Sequence, residues 1–424
     1  MTEQTVQTSS LRRFLAAENL IRQILVGLIV GVFAALYLPA LAAPLPLLGT
    51  LFVGALKAIA PILVCILVTR SVAGYQHAAP PRIGSVIVLY IVGTLLASFL
   101  AVAASYLFPV VIELHATGEE LSPPSSLVDV FNTLLGNMVA NPVKAIAEGN
   151  YIGILFWSIL FGIGLRGVHS DAVRNWLDDL VTSGLWVMRR IIRFAPLGIM
   201  GLVADAVLSS GLEGLLSYGK LLFLLIGVML LMAFVVNPGI VWAKIRRNPY
   251  PLVLTCLRES GTTAFFTRSS AANIPVNLAL AEKLRLNRST YTVTIPLGAT
   301  INMEGAAITI AVLTLAAVNS LDGYSITFGT ALLLSIVSAI GACGASGVAG
   351  GSLLLIPMAA SLFGIPEDIA TQIIGVGFVI SVLQDSCETA LNSSTDVLFT
   401  AAAAQTEESI DRHDEAAAPP ATHV

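Results

Sequence analysis

Hydrophobic residues come in long blocks along this chain, not in alternation. Runs of roughly 17–25 or more mainly apolar residues, the length a helix needs to cross a bilayer, fall near 24–43, 48–74, 83–111, 151–167, 183–208, 217–243, 289–318 and 369–401. Two further stretches, 250–277 and 326–363, are apolar but interrupted by clusters of Gly, Ser, Asn and Pro. A barrel would show alternating strands of about 10 residues, whereas these blocks are continuous. The pattern predicts an all-α membrane protein with eight transmembrane helices and two broken elements.

The broken elements carry the first functional signal. Backbone that leaves the helix cannot face lipid, because unpaired N–H and C=O groups cost several kcal/mol there. It persists where it is buried in protein or lines a wet cavity. TRSSAANIPVN (Thr267–Asn277) and GACGASGVAGGS (Gly341–Ser352) read as tips of two re-entrant helical hairpins. The plainer alternative is two ordinary Gly-rich loops, against which stand the apolar flanks of each tip. Each hairpin precedes a span with a polar break: PLGATINMEGAA (Pro296–Ala307) after the first, QDSCETALNSSTD (Gln384–Asp396) after the second. A broken hairpin plus a polar span thus occurs twice, once turned over. Inverted repeats with discontinuous backbone are the mark of secondary transporters.

Composition removes other classes. Of 424 residues, 56% are apolar and only 11% charged, against about 25% charged in soluble domains. The net charge of −4 leaves no basic footprint for nucleic acid. Four cysteines, Cys65, Cys256, Cys343 and Cys387, lie in apolar stretches with no metal or disulfide spacing. The first apolar run is longer than a signal peptide's, so residues 1–22 are expected to be a cytoplasmic tail before an uncleaved span. Placing that tail inside puts Arg70, Arg166, Arg189, Arg190, Arg193 and Lys244 at inner ends and leaves Lys57, Lys144 and Lys220 outside, as the positive-inside rule requires. Both termini are then cytoplasmic, and residues 402–424, rich in Glu, Asp, Ala and Pro, read as a disordered tail.

Charge also points to the site. Between Ser289 and Asp411 there is no Lys or Arg, yet Glu304, Asp385, Glu388 and Asp396 fall inside spans. A carboxylate in mid-membrane costs at least about 2.5 kcal/mol and must pair or take a proton. Arg258 or Arg268 of the first hairpin can reach one of the four. The remaining positive charge must come from a proton, a metal cation or a substrate ammonium. Asp385, Thr389, Asn392 and Asp396 share one helical stripe within about 60°, with Glu388 beside it. These are oxygen ligands suited to a hard cation such as Na⁺, and Asn302 with the carbonyls of 298–302 can complete such a site. No His or Cys set favours zinc or copper. The tips supply the opposite chemistry: Ser269, Ser270, Asn273 and free N–H groups are donors suited to an anion. Acids on one side and donors on the other suit a zwitterion, which describes an α-amino acid.

These segments, TRSSAANIPVN, PLGATINMEG, SGVAGG and QDSCETALNSSTD, resemble the signatures of the dicarboxylate/amino acid:cation symporter family, the glutamate transporter family. The likeness is closer to its bacterial branch of sodium-coupled serine/threonine symporters than to the glutamate carriers. The resemblance implies a homotrimer in the inner membrane, with a scaffold and a transport domain that moves like an elevator. It implies spans 1–6 over 23–249, with helices 3 and 6 joining the transport domain, and a transport core over 250–401. By motif, Asp385 falls where the family binds the substrate ammonium, and Asn392 and Ser270 where it binds the carboxylate. Gly298, Asn302, Asn392 and Asp396 fall on one Na⁺ site, and Glu304 on the acid of another. Val348 to Gly351, with Gly350, falls on the extracellular gate. The expected substrate contacts are therefore Ser269, Ser270, Val348, Gly350, Asp385, Glu388, Thr389 and Asn392.

Three departures refine this. Glutamate carriers have Arg where Glu388 stands, so acidic substrates are expected to be repelled and a substrate hydroxyl accepted instead, which suits serine and threonine. They have Asp where Glu304 stands, which alters the reach of that group. The second tip also lacks a proline common in that branch. The expected cargo is Na⁺ with a small neutral amino acid, with no organic cofactor and no nucleic acid. Proton coupling, or another small neutral substrate, is the alternative. Gly344-Ala345-Ser346-Gly347 also fits the GxSG pattern of intramembrane serine proteases, but the five histidines lie in loops or the tail, so no base stands ready. A channel lined by the Gly-rich tips would be separated from a symporter by its inability to concentrate substrate.

Overall fold

The computed structural model describes residues 20–74, 82–114, 132, 135–168, 170–321, 324, 326–345, 347 and 349–417, without the side chains of 82 and 405–417. The described residues contain helices and turns and no strand. Six helical runs are long and apolar enough to cross a membrane: Leu20–Tyr37, Pro39–Ala73, Ile83–Leu107, Ala195–Ile245, Arg288–Ser320 and Glu367–Ala404. Tyr151–Arg166 and Phe328–Ala342 are shorter apolar helices.

The first half carries most of the exposed large apolar side chains. Helix α1 (Leu20–Tyr37), α2 (Pro46–Ala73), α3 (Arg82–Leu107), α4 (Tyr151–Arg166) and α5 (Asp171–Ile192) precede a long α6 (Ala195–Leu231). Helix α1 lies along α6, and α2 packs against α4, α5 and α6. Small residues permit the closest approach. A Cβ on Gly49 would lie 2.8 Å from the Leu202 nitrogen, and Gly27 and Gly31 face the carbonyls of Pro196 and Met200. Large apolar side chains point outward here, Phe223 with 81% exposure among them, the surface a bilayer would cover.

The span expected at 183–208 is divided instead. Arg189, Arg190 and Arg193 crowd one turn, and Pro196 favours a new helix start, so α5 ends at Ile192 and α6 begins at Ala195. Helix α5 is amphipathic, and its Asp178 takes a bidentate contact from Arg70 at 2.6 and 3.0 Å. Helix α6 kinks at Gly211, whose φ of 65° and ψ of −158° suit glycine alone. It then continues through a π turn at Met232–Val236 into α7 (Asn237–Ile245).

The second half builds the core. The first hairpin runs through α8 (Tyr250–Cys256), a π turn (Leu257–Gly261), α9 (Thr262–Thr267) and α10 (Ser270–Lys283). Helices α11 (Arg288–Ile301) and α12 (Glu304–Ser320) are one span broken at Asn302–Met303, where ψ rises to 80° and 52°. The second hairpin comprises α13 (Phe328–Ala342), a 3₁₀ turn (Ser352–Leu355) and α14 (Ile356–Ser361). Helix α15 (Glu367–Ala417) closes the chain. Every residue of α12 from Glu304 to Val318 is buried, as expected of a helix apolar on all sides. It packs on α3, α13 and α15, and α15 also meets both arms of the first hairpin. The tail expected to be disordered from 402 is helical to Ala417, where runs of Ala with Gln and Glu favour helix.

Candidate functional site

The stripe on α15 is buried throughout: Asp385, Glu388, Thr389, Asn392 and Asp396 all lie inside. It faces three interruptions in helical backbone: the two hairpin tips and the break between α11 and α12. Val348, expected at the gate, lies outside the described residues, as does Ser346 of the GxSG pattern.

The tips meet over Asp385. Arg268 ends α9 in a left-handed conformation, φ 51°, which costs a non-glycine residue about 1–3 kcal/mol and turns its side chain toward α15. Its Nε donates to Asp385 Oδ2 at 2.7 Å, with side-chain exposures of 10% and 2%. The N–H of Gly350, at φ 73° in the second tip, donates to Asp385 Oδ1 at 3.3 Å. Ser269 caps α10 by accepting from the Ala272 N–H at 3.2 Å, and its hydroxyl donates to the Gly347 carbonyl at 3.1 Å. Ser270 is buried, and a Cβ on Gly347 would stand 3.3 Å from its own. Ser269, Ser270, Gly350 and Asp385 are thus brought together.

One turn along, Glu388 Oε2 accepts from Thr309 Oγ1 at 2.8 Å, Ser352 Oγ at 2.8 Å and Gln384 Nε2 at 2.5 Å. A Cβ on Gly305 would lie 2.7 Å from the Glu388 Cα, so glycine there lets α12 approach the stripe. The Thr389 hydroxyl turns back to the Asp385 carbonyl at 2.7 Å. Its proton is engaged, so toward a ligand it offers only acceptor lone pairs.

The ion-type cluster lies further on. Asn302 Nδ2 donates to the Asn392 carbonyl at 3.2 Å, Thr395 Oγ1 at 2.8 Å and Asp396 Oδ1 at 2.9 Å. Asn392 Oδ1 accepts from the Gly305 N–H at 2.7 Å, capping the start of α12. The Asn392 side chain therefore braces the break, while its carbonyl faces Asn302. A Cβ on Gly298 would lie 2.5 Å from Asp396 Oδ1 and 2.9 Å from the Tyr90 hydroxyl. That hydroxyl donates toward the Asp396 carbonyl at 3.0 Å. Asn302 Oδ1 and Asp396 Oδ2 are buried with no hydrogen-bond partner among the described residues. Unsatisfied buried oxygens are costly, and an all-oxygen set with one carboxylate fits a hard cation. Among the described residues no three His, Cys, Asp or Glu side chains converge into a metal cluster.

Glu304 is set apart by its partner. Its Oε2 accepts from Asn237 Nδ2 at 2.7 Å, and Oε1, against Gly93 of α3, has no partner among the described residues. A second network, with Asn273 Nδ2 to Ser393 Oγ at 2.8 Å and Asn277 Nδ2 to the same hydroxyl at 3.0 Å, ties the first hairpin to α15.

Sequence reasoning did not single out Thr309, Ser352, Gln384, Tyr90 or Asn237. Gln384 stands four residues before Glu388, a spacing that places both on one face, and was the most accessible of these. Tyr90 and Asn237 come from distant spans and carry no local signal. In comparison with known proteins, residues 20–406 match the sodium:dicarboxylate symporter family, nearly the whole chain.

Proposed function

The chain belongs to the sodium:dicarboxylate symporter family, a transporter family and not an enzyme family, and we propose that this member imports L-serine and L-threonine with Na⁺. Membership and the apolar helices make it a multi-pass membrane protein. The single observation that carries the substrate reading is Glu388: a buried acid one turn from Asp385, held by neutral donors and paired, among the described residues, with no basic side chain. A carboxylate there repels an acidic side chain and accepts from a hydroxyl.

In this reading the substrate ammonium takes Asp385 from Arg268, and the tips around Ser269, Ser270 and Gly350 receive the substrate carboxylate. Na⁺ joins Gly298, Asn302, Asn392 and Asp396, and Glu304 serves a further cation position. Neither cargo alone balances the acids. A fully loaded site crosses the membrane interior at lower cost than a half-loaded one, and that difference couples the sodium gradient to the amino acid. We assign eight transmembrane helices and two re-entrant hairpins. The 51-residue run 195–245 is long enough for two crossings at about 1.5 Å per residue. A scaffold, an elevator-type transport domain, a homotrimer and a bacterial inner-membrane location with cytoplasmic termini complete the proposal.

Proton coupling is the second reading. Glu304 favours it, being buried with an amide donor on one oxygen and nothing on the other. The test is uptake of labelled L-serine into liposomes holding the purified protein, under an inward Na⁺ gradient or a proton gradient, with excess aspartate as competitor. Concentrative uptake that needs Na⁺ and ignores aspartate supports the symporter. Uptake on protons alone moves the coupling to the acids, and strong aspartate competition defeats the role of Glu388.

A further inference from the structure

Among the described residues, Glu388 receives its donors on one oxygen only. Thr309 of α12 and Ser352 of the second hairpin each donate to Oε2 across 2.8 Å, and Gln384 donates to it across 2.5 Å. A carboxylate oxygen offers about two lone-pair directions, so three donors saturate Oε2. The donors are themselves linked. Gln384 Nε2 also lies 2.7 Å from Thr309 Oγ1, so one amide group serves both the hydroxyl and the carboxylate. Thr309 Oγ1 lies 3.0 Å from the Gly305 carbonyl as well, and its single proton must choose between that carbonyl and Glu388.

We propose that Gln384, Thr309 and Ser352 are specificity-determining positioning residues: by occupying Oε2 they fix the carboxylate and leave Oε1 as the acceptor for a substrate side-chain hydroxyl. The inference rests on the serine/threonine reading above and names the residues that make Glu388 selective. A carboxylate held from one side has one orientation to offer. Without those donors it rotates, and the hydroxyl of serine gains nothing over the methyl of alanine. Ser352 adds a gate-dependent element. It sits two residues past Gly350, whose N–H meets Asp385, so the second hairpin supplies one donor to Asp385 and one to Glu388. Serine discrimination is therefore complete only when that hairpin is seated.

The experiment compares Na⁺-driven uptake of labelled L-serine and L-alanine in proteoliposomes for wild type, Thr309→Val, Gln384→Leu, Ser352→Ala and Ser352→Thr. Each protein is first checked for monodispersity by gel filtration. Ser352→Ala removes one hydroxyl and little volume, which keeps the test alive if a larger change fails to fold. The expected result is a KM for serine raised about tenfold in Thr309→Val, Gln384→Leu and Ser352→Ala, with the KM for alanine unchanged. Ser352→Thr, which keeps a hydroxyl, should retain the preference. An equal loss for both substrates, an unchanged ratio, or a wild type that does not separate serine from alanine overturns the inference while leaving the symporter intact. A wild type without Na⁺-driven serine uptake defeats the parent reading, whatever the variants do.

Discussion

Arg268 Nε and Asp385 Oδ2 are 2.7 Å apart, in a bridge that joins the left-handed tip of the first hairpin to the buried stripe of α15. Among the described residues Arg268 is the one basic side chain that pairs with any of the four buried acids. An internal cation thus stands where the account places the substrate ammonium. Removing one partner of a buried pair costs about 3–5 kcal/mol, because the other charge is left uncompensated. Arg268→Met should therefore lower the Tm of the substrate-free protein, and saturating L-serine with Na⁺ should restore a larger share of it than the ligands add to the wild type. Differential scanning fluorimetry in detergent reads both. A Tm equal to wild type would mean that the bridge contributes little.

Asp396 and Gly298 should control sodium. Asp396→Asn removes the carboxylate whose Oδ2 lacks a partner. Gly298→Ala puts a methyl 2.5 Å from its Oδ1, far inside contact distance. Both variants should raise the Na⁺ concentration for half-maximal serine binding at least tenfold, about 1.4 kcal/mol, while Asp385 variants lose serine at every Na⁺ concentration. Equilibrium binding of labelled serine across a Na⁺ titration distinguishes the two patterns.

Glu388→Gln keeps the shape of the side chain and removes its charge. Two like charges about 4 Å apart repel by roughly 4 kcal/mol at an effective dielectric near 20. Aspartate, which should not compete with serine in the wild type, should inhibit the variant measurably. Inhibition curves for both proteins under one Na⁺ gradient give the comparison.

Asn237 donates the hydrogen bond that Glu304 receives, at 2.7 Å. Asn237→Ala leaves that buried acid without it, a loss of about 1–3 kcal/mol. The expected readout is a lower Tm, and Asn237→Gln, which retains an amide donor, should recover part of it.

Much of this architecture was legible because the bilayer constrains sequence so strongly. Unbroken apolar runs marked the long helices, and Gly, Ser and Asn clusters between apolar flanks marked the backbone breaks at 268–269, at 302–303 and, among the described residues, between Ala342 and Ser352. The stripe from Asp385 to Asp396 followed from helical spacing. The expected span at 183–208 concealed a boundary, because hydropathy averages across Arg189, Arg190 and Arg193 while a proline and three charges end a helix locally. Windowed hydropathy likewise does not reveal that Gly211 kinks a long helix. At the site, residue types were readable, and apart from an arginine of the first hairpin reaching one acid the pairings were not. Asn392 is expected among the cargo residues, and spacing gives no sign that its amide oxygen also accepts from the Gly305 N–H. Glu388 was recognised as an unusual acid, while Thr309 and Ser352 reach it from other elements, a relationship set by tertiary packing.

The central claim is that sodium and serine complete one site together. The most direct measurement is the affinity for L-serine, by isothermal titration calorimetry on the purified protein, at Na⁺ concentrations from zero to saturation, with K⁺ keeping ionic strength constant. Serine binding should be undetectable without Na⁺ and tighten as Na⁺ rises, with serine strengthening Na⁺ binding by the same factor, as linkage demands. Serine affinity independent of Na⁺ would contradict it.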